Sequence, residues 1–221
     1  MIAKAKFRGK KYPLSCYGQS LGDYISQFII EGFFYEYPLL GYLYDNYKFK
    51  TVIDIGANIG NHSAFFSKIM GAKVYAFEPI ADNFRHLVKN NPDGKNYNAG
   101  LGNKEKEMGY FINSQCSGMP NMGGCQLIEG TGIQVKLLDS YNLKPDMIKI
   151  DTEGMETEVI EGGIETIKKY KPVLVIEHND IQKLYNTARL LVPLGYIIRP
   201  FVEKNWEMFI YERYNNSSPS R

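Results

Sequence analysis

Long apolar runs are missing. Nothing in the 221 residues approaches the ~20 consecutive apolar positions that span a bilayer, so no membrane-spanning helix is expected. Lys4 and Lys6 put positive charge at the start, but no apolar stretch follows, so the start does not read as a secretory leader. Cysteine is scarce and odd in number. Cys16, Cys116 and Cys125 form no CxxC and lack the histidine spacing of a zinc site. Free thiols in a reducing, cytoplasmic setting are expected, with a Cys116–Cys125 disulfide across the glycine-rich stretch as the alternative. Neither charge sign dominates: 26 basic and 24 acidic residues leave +2. A protein that depends on a phosphate backbone needs clustered cations, so nucleic acid is disfavoured as a partner. No repeat of solenoid period is visible.

What is present belongs to an ordinary globular chain, 44% hydrophobic and 23% charged, which excludes wholesale disorder. Residues 1–50 are aromatic and irregular. Apolar spacing through Tyr24, Ile25, Phe28, Ile29, Leu39, Leu40 and Leu43 predicts one or two short helices, broken near Gly32 and Pro38, that form a cap. From Thr51 onward, β-branched runs alternate with helical spacing. Strands are expected at residues 51–55, 73–77, weakly at 95–101, and at 147–150 and 173–177. Helices are expected at 60–70, 82–90, 155–170 and 181–192. An antiparallel pair near 196–198 and 208–211 closes one edge. The stretch 104–134 is rich in glycine and reads as a β-hairpin insertion with a mobile tip near 117–124. Residues 215–221 form a polar tail. This rhythm means a mostly parallel sheet with helices on both faces.

The first strand runs into Asp54-Ile55-Gly56-Ala57-Asn58-Ile59-Gly60-Asn61. Glycines let such a turn take unusual backbone angles, and the following helix offers free N–H groups. Asp54 sits so close to the loop that it would repel a pyrophosphate and attract an amino group. Glu78, followed by Pro79 at the end of the second strand, holds the position of an acid that takes two ribose hydroxyls. Together they suit S-adenosylmethionine better than a dinucleotide. Asn98-Ala99-Gly100 after the third strand would pass its adenine.

Val52-Ile53-Asp54-Ile55-Gly56-Ala57-Asn58-Ile59-Gly60, Ala76-Phe77-Glu78-Pro79, Leu138-Asp139-Ser140 and Ile148-Lys149-Ile150-Asp151-Thr152-Glu153-Gly154 occur in that order. This series resembles the FkbM-type S-adenosylmethionine-dependent methyltransferases. The resemblance implies a Rossmann-like class I methyltransferase sheet of seven strands with an antiparallel C-terminal edge strand, here over residues 51–214. It also implies O-methylation of a sugar, glycan or related small molecule.

Lys149, Asp151 and Glu153 alternate, so an extended chain would set them on one face. Glu177 and His178 end the next strand. Methyl transfer to a hydroxyl needs alignment and a base. His178 is the first candidate because imidazole titrates near neutral pH, and Asp151 is the second. Asp151, Glu153 and Glu177 are alternatively a tentative Mg²⁺ site. Lys149 is either part of this group or a plain ion-pair partner. His62 and His86 read as helix-surface residues, with His62 near enough to the loop for a ligand contact. Other readings left open are a nucleic-acid methyltransferase and a non-catalytic S-adenosylmethionine-binding partner. Oligomeric state is not legible.

Overall fold

The computed structural model describes residues 1–18, 23–112, 122, 124–178, 180–203 and 206–213. Of the expected hairpin tip at 117–124 only Met122 and Gly124 are among them. Cys116 and the tail at 215–221 lie outside the described residues.

The chain opens with β1 (Ile2–Phe7) and β2 (Lys10–Ser15), where an irregular cap was expected. Ala5 and Phe7 point into the core while Lys4 and Lys6 point out, a period of two that marks a strand. Arg8 (φ 46°) and Gly9 (φ 79°) form the two-residue turn, both in the left-handed region that matches strand twist. Arginine is an unusual first residue for such a turn, which hid the hairpin. The two cap helices follow as expected: α1 (Tyr24–Ile30), capped by Asp23 accepting from Ser26 N at 2.9 Å, and α2 (Tyr37–Asn46), with Pro38 in its first turn. Phe34, Leu39, Leu40 and Leu43 are buried in the same cluster as Phe65 and Phe66. Each such side chain contributes about 1.5–3 kcal/mol of burial.

The alternating part contains β3 (Thr51–Ile55), α3 (Asn61–Lys68), β4 (Lys73–Phe77), α4 (Ala81–Asn90) and β5 (Lys95–Tyr97). A short β6 (Gly100–Leu101) leaves the main sheet and pairs with β8 (Cys125–Lys136), itself antiparallel to β7 (Lys106–Ile112). So the expected insertion is a hairpin, and the weak strand at 95–101 divides between two sheets. Then come β9 (Met147–Ile150), α5 (Glu156–Gly162), α6 (Ile164–Tyr170), β10 (Val173–Glu177), α7 (Ile181–Leu191), β11 (Tyr196–Glu203) and β12 (Trp206–Arg213). One helix was expected over 155–170, yet two form. The break falls at Gly163, next to Gly162, where a Cβ would fall 1.9 Å from the Gly102 carbonyl oxygen, so only glycine allows the two backbones to meet there.

The main sheet has seven strands in the order β11-β12-β10-β9-β3-β4-β5. All are parallel except β12, which is antiparallel to β10 and β11. This is the class I methyltransferase order. The antiparallel strand lies one place in from the edge, because its Met208, Ile210 and Tyr211 are buried. β11 takes the edge with exposed Arg199 and Pro200, and proline tolerates only such a position. Every residue of β9 is buried, Lys149 included.

Candidate active site

One cavity opens at the C-terminal ends of β3, β4, β9 and β10. Its floor is the loop after β3. Gly56 (φ 74°) allows that loop to touch the chain leaving β9: a Cβ there would sit 1.7 Å from the Asp151 carbonyl oxygen. The loop satisfies its own donors. Gly56 N and Ala57 N both reach Phe77 O at 3.0 Å, and Gly60 N donates to Ala57 O at 2.8 Å. Ile59 N is taken by the Asn58 side chain at 2.6 Å. Asn58 N donates to Glu78 Oε2 and Ile80 N donates to Glu78 Oε1, both at 2.8 Å. The loop thus meets a ligand through carbonyls, side chains and glycine Cα surface rather than through its N–H groups.

Glu78 is 4% exposed and lines the cavity. Burial pushes its carboxyl up to about 7. A carboxylate has about four acceptor directions, and the two backbone N–H groups occupy two. The Asn83 side chain takes a third, which leaves one for a ribose hydroxyl. Ala99, Gly100 and Leu101 flank this end, and Met122, Cys125 and Leu127 of the insertion add an apolar wall. A flat base fits such a slot, so these residues suit a nucleoside donor.

The opposite end is polar. Lys149 is fully buried, with Nζ 3.0 Å from Asp151 Oδ2 and 3.7 Å from Asp54 Oδ1. Burial alone would lower its ammonium, but Asp151, Asp54 and Glu36 outweigh it and hold Lys149 charged, above its ordinary range. Burial likewise pushes Asp151 up, and Lys149 together with a hydrogen bond from Glu177 more than reverses this, so Asp151 sits below the usual carboxylate range. Glu177 is pushed up to about 11 by Asp151 beside it and by burial. Burial and then Asp151 push Glu153 up to about 7. Ligand oxygens of Asp151, Glu153 and Glu177 lie within 4.8 Å of one another. Glu153 is in the left-handed region (φ 55°), so the strand does not continue as the alternation implied. Glu156 clamps the turn instead, accepting from Thr152 N, Thr152 Oγ1 and Gly154 N at 3.2, 3.0 and 2.9 Å. Tyr24 and Tyr35 of the cap complete this end. Asn61 grips Tyr35 N and O at 3.0 and 3.1 Å, and the adjacent pair repeats the latch, His62 Nε2 lying 2.9 Å from Glu36 Oε2.

The model of the methyltransferase FkbM domain matches residues 54–198. The chain belongs to the FkbM methyltransferase family. A hexuronic acid methyltransferase, AglP of Haloferax volcanii, is 27% identical over 149 residues, 62% of this chain and 62% of that protein. Among solved structures, a methyltransferase FkbM from Methylobacillus flagellatus superposes with a TM-score of 0.51 at 21% identity, over 73% of this chain and 43% of that one. A ribosomal protein L11 methylase from Lactobacillus delbrueckii subsp. bulgaricus gives 0.53 at 13% identity, over 80% and 77%. The two structures share the fold. This chain therefore spans less than two thirds of the Haloferax protein and under half of the Methylobacillus one.

In this family member, Gly56, Ala57, Asn58, Asn61, Glu78, Pro79, Ala99 and Gly100 line the cavity, as do Lys149, Asp151, Glu153 and Glu177. Four expected site residues do not. Asp54 is turned inward, completely buried, and accepts from Ser63 Oγ at 2.6 Å. Gly60 starts α3 and packs on Leu87 and Asn90. Asn98 ties the backbone together, donating to Glu78 O and Pro79 O at 2.8 and 3.0 Å. His178 faces away, 1% exposed, with Nε2 2.9 Å from Tyr211 Oη. Burial, with Lys183 nearby, lowers it to about 4, so it is a neutral core histidine. His62, expected on a helix surface, is 5% exposed and lines the cavity. His86 is half-buried, Nδ1 2.8 Å from Ser15 Oγ. Sequence reasoning missed Glu36, Asn83 and Glu156. Only Glu156 left a signal, an acid in the first turn of a helix.

Proposed function

We propose that this family member is an S-adenosylmethionine-dependent O-methyltransferase whose acceptor is a sugar hydroxyl, free or in a glycan. The observation that carries the reading is one cavity with two chemically different ends. An acid-and-apolar slot suits a nucleoside, and a cluster of carboxyl groups beside two tyrosine rings suits a polyhydroxylated acceptor. Aromatic faces pack against sugar rings, and carboxyl groups accept from their hydroxyls. That a relative is a hexuronic acid methyltransferase supports the same acceptor class.

S-adenosylmethionine, when bound, supplies a methyl already activated for displacement. The residues of this chain then align the acceptor and receive its proton. Asp151 accepts the hydroxyl's hydrogen bond, and Lys149 fixes the orientation of that carboxylate. As the new C–O bond forms, positive charge grows on the oxygen and its proton becomes strongly acidic. A carboxylate held below its usual range is basic enough to take it, so no imidazole is required. Glu177, kept protonated, donates to Asp151 or to the acceptor. The three carboxyl groups are hard-oxygen donors of the kind Mg²⁺ takes, but Lys149 already holds a positive charge 3.0 Å from Asp151. The proposed mechanism therefore uses no metal.

The test is methyl transfer from labelled S-adenosylmethionine to a panel of neutral and acidic oligosaccharides, with RNA and small amines alongside. Label on a sugar oxygen is expected. Label confined to RNA or to nitrogen refutes the reading. Asp151→Asn should lower turnover by about 10²–10⁴-fold while donor affinity stays within a few-fold.

A further inference from the structure

The cap carries a feature that the cavity does not use. Lys4, Lys6, Arg8, Lys10 and Lys11 all precede Tyr12, and the first acidic residue is Asp23. With only +2 on the whole chain, everything beyond this segment is net negative. All five side chains are exposed on or beside the β1–β2 hairpin. Arg8 pairs with Asp45 at 2.5 Å, whereas the four lysines have no ion-pair partner among the described residues. The register sets Lys6 directly opposite Lys11. Like charges so placed weaken a hairpin, so this face carries a local cost that folding does not explain.

Apolar side chains stand among these cations. Lys6 is bridged on its other side to Phe33, which is 53% exposed, and Ile2 and Tyr37 are 61% and 39% exposed. Phe28, Phe33, Phe34 and Tyr37 line a groove that Lys6 and Arg8 border. Unpaired cations would suit any polyanion, but a nucleic-acid duplex or a polyphosphate gives the exposed rings nothing to enter. A bilayer with anionic headgroups offers both, charge at its surface and hydrocarbon beneath. The groove also shares a wall with the cavity. Phe28 packs on Tyr24 and Tyr35 at ring separations of 5.3 and 5.4 Å, and both tyrosines line the methyltransferase cavity. We infer that the β1–β2 hairpin, with Phe33 and Tyr37, docks on the surface of a membrane containing anionic lipids, and so holds the cavity beside that surface.

The experiment is co-sedimentation of the full chain with phosphatidylcholine vesicles, with and without phosphatidylglycerol. Binding is expected only with phosphatidylglycerol, and it should weaken as salt screens the lysines. Lys6→Glu should lower vesicle affinity at least about fivefold, the factor for one basic residue at such a surface. The melting temperature should hold or rise, because the pair with Lys11 then has opposite charges. That sign separates docking from a damaged fold. Phe33→Ser should lower affinity about tenfold without any change of charge. Binding of S-adenosylmethionine by either variant should match the parent, so failure of docking is distinguishable from failure of the methyl-transfer reading. No binding to anionic vesicles, equal binding to neutral ones, or parent-like binding by both variants overturns the inference. So does a match between vesicle and duplex DNA binding that Phe33→Ser leaves unchanged, which would make the face a simple polyanion site.

Discussion

Replacing Glu78 with glutamine separates what this carboxylate does for the fold from what it does for the donor. The substitution keeps shape and removes one acceptor oxygen. Both oxygens are in use, one by Asn58 N and one by Ile80 N, each at 2.8 Å. An amide has a single carbonyl oxygen, so one of these N–H groups must face an NH₂. An unpaired buried N–H costs about 1–3 kcal/mol, and this appears as lost stability. Affinity falls for a separate reason. A hydrogen bond to a charged group is worth about 1.5–3 kcal/mol, so losing one from ribose weakens donor binding about 10- to 150-fold. The pH dependence gives a second, independent readout. Glu78 lies at about 7 in the ligand-free protein, and a ribose hydroxyl donates to its ionised form. Affinity should therefore rise with pH from about 6 to about 8, by at most about tenfold, with protons released on binding. The glutamine variant should lose the part of that slope that belongs to Glu78. The same shift has the opposite sign for folding. The folded carboxyl keeps its proton between 4.5 and about 7 while the unfolded chain has released it. This contribution is complete below 4.5 and is lost as pH rises through 7, an effect of about 3 kcal/mol. Calorimetric titration of S-adenosylmethionine in buffers of different ionisation heat reads both quantities. A variant within twofold of the parent in affinity, with the same pH slope, would refute the placement of ribose on Glu78.

Gly56→Ala should abolish donor binding and cost about 4 kcal/mol or more of stability, because the added Cβ meets a backbone carbonyl that cannot turn aside. A melting curve within a few degrees of the parent would contradict it. His178→Ala should lower stability by about 2–4 kcal/mol, through a cavity and a lost bond to Tyr211, while turnover by the folded fraction persists. Folded variant without turnover would return the base role to His178. EDTA should leave initial rates unchanged within about twofold, since Lys149 supplies the charge beside Asp151. Activity lost to EDTA and restored by Mg²⁺ would give the carboxyl cluster to a metal.

The alternating part of the fold was legible because its signals are local. β-branched runs at 51–55, 147–150 and 173–177 are each bounded by glycine, acid or proline, and each became a strand at nearly those limits. That the loop after β3, Glu78 and the carboxyl groups after β9 and β10 would share one cavity was legible for the same reason: each follows or ends a strand, and strand ends of a parallel sheet gather at one edge. The β1–β2 hairpin also had its alternation in plain view, but Arg8-Gly9 lacks the usual turn residues. Side-chain direction could not be read in this way. Asp54 lies one residue inside the end of β3, and Asp151 lies one residue past the end of β9. Only the packing of Ser63 and Lys149 turns Asp54 into the core while Asp151 meets the cavity. His62 lines the cavity and His178 does not for a like reason. β12 came to lie against β10 and buried His178 on Tyr211, whereas the cap folded over α3 and enclosed His62 with Glu36. Sequence order by itself determined which strands exist and which acids end them. Contacts between segments far apart in the chain, which no local pattern encodes, decided which of those side chains share a cavity.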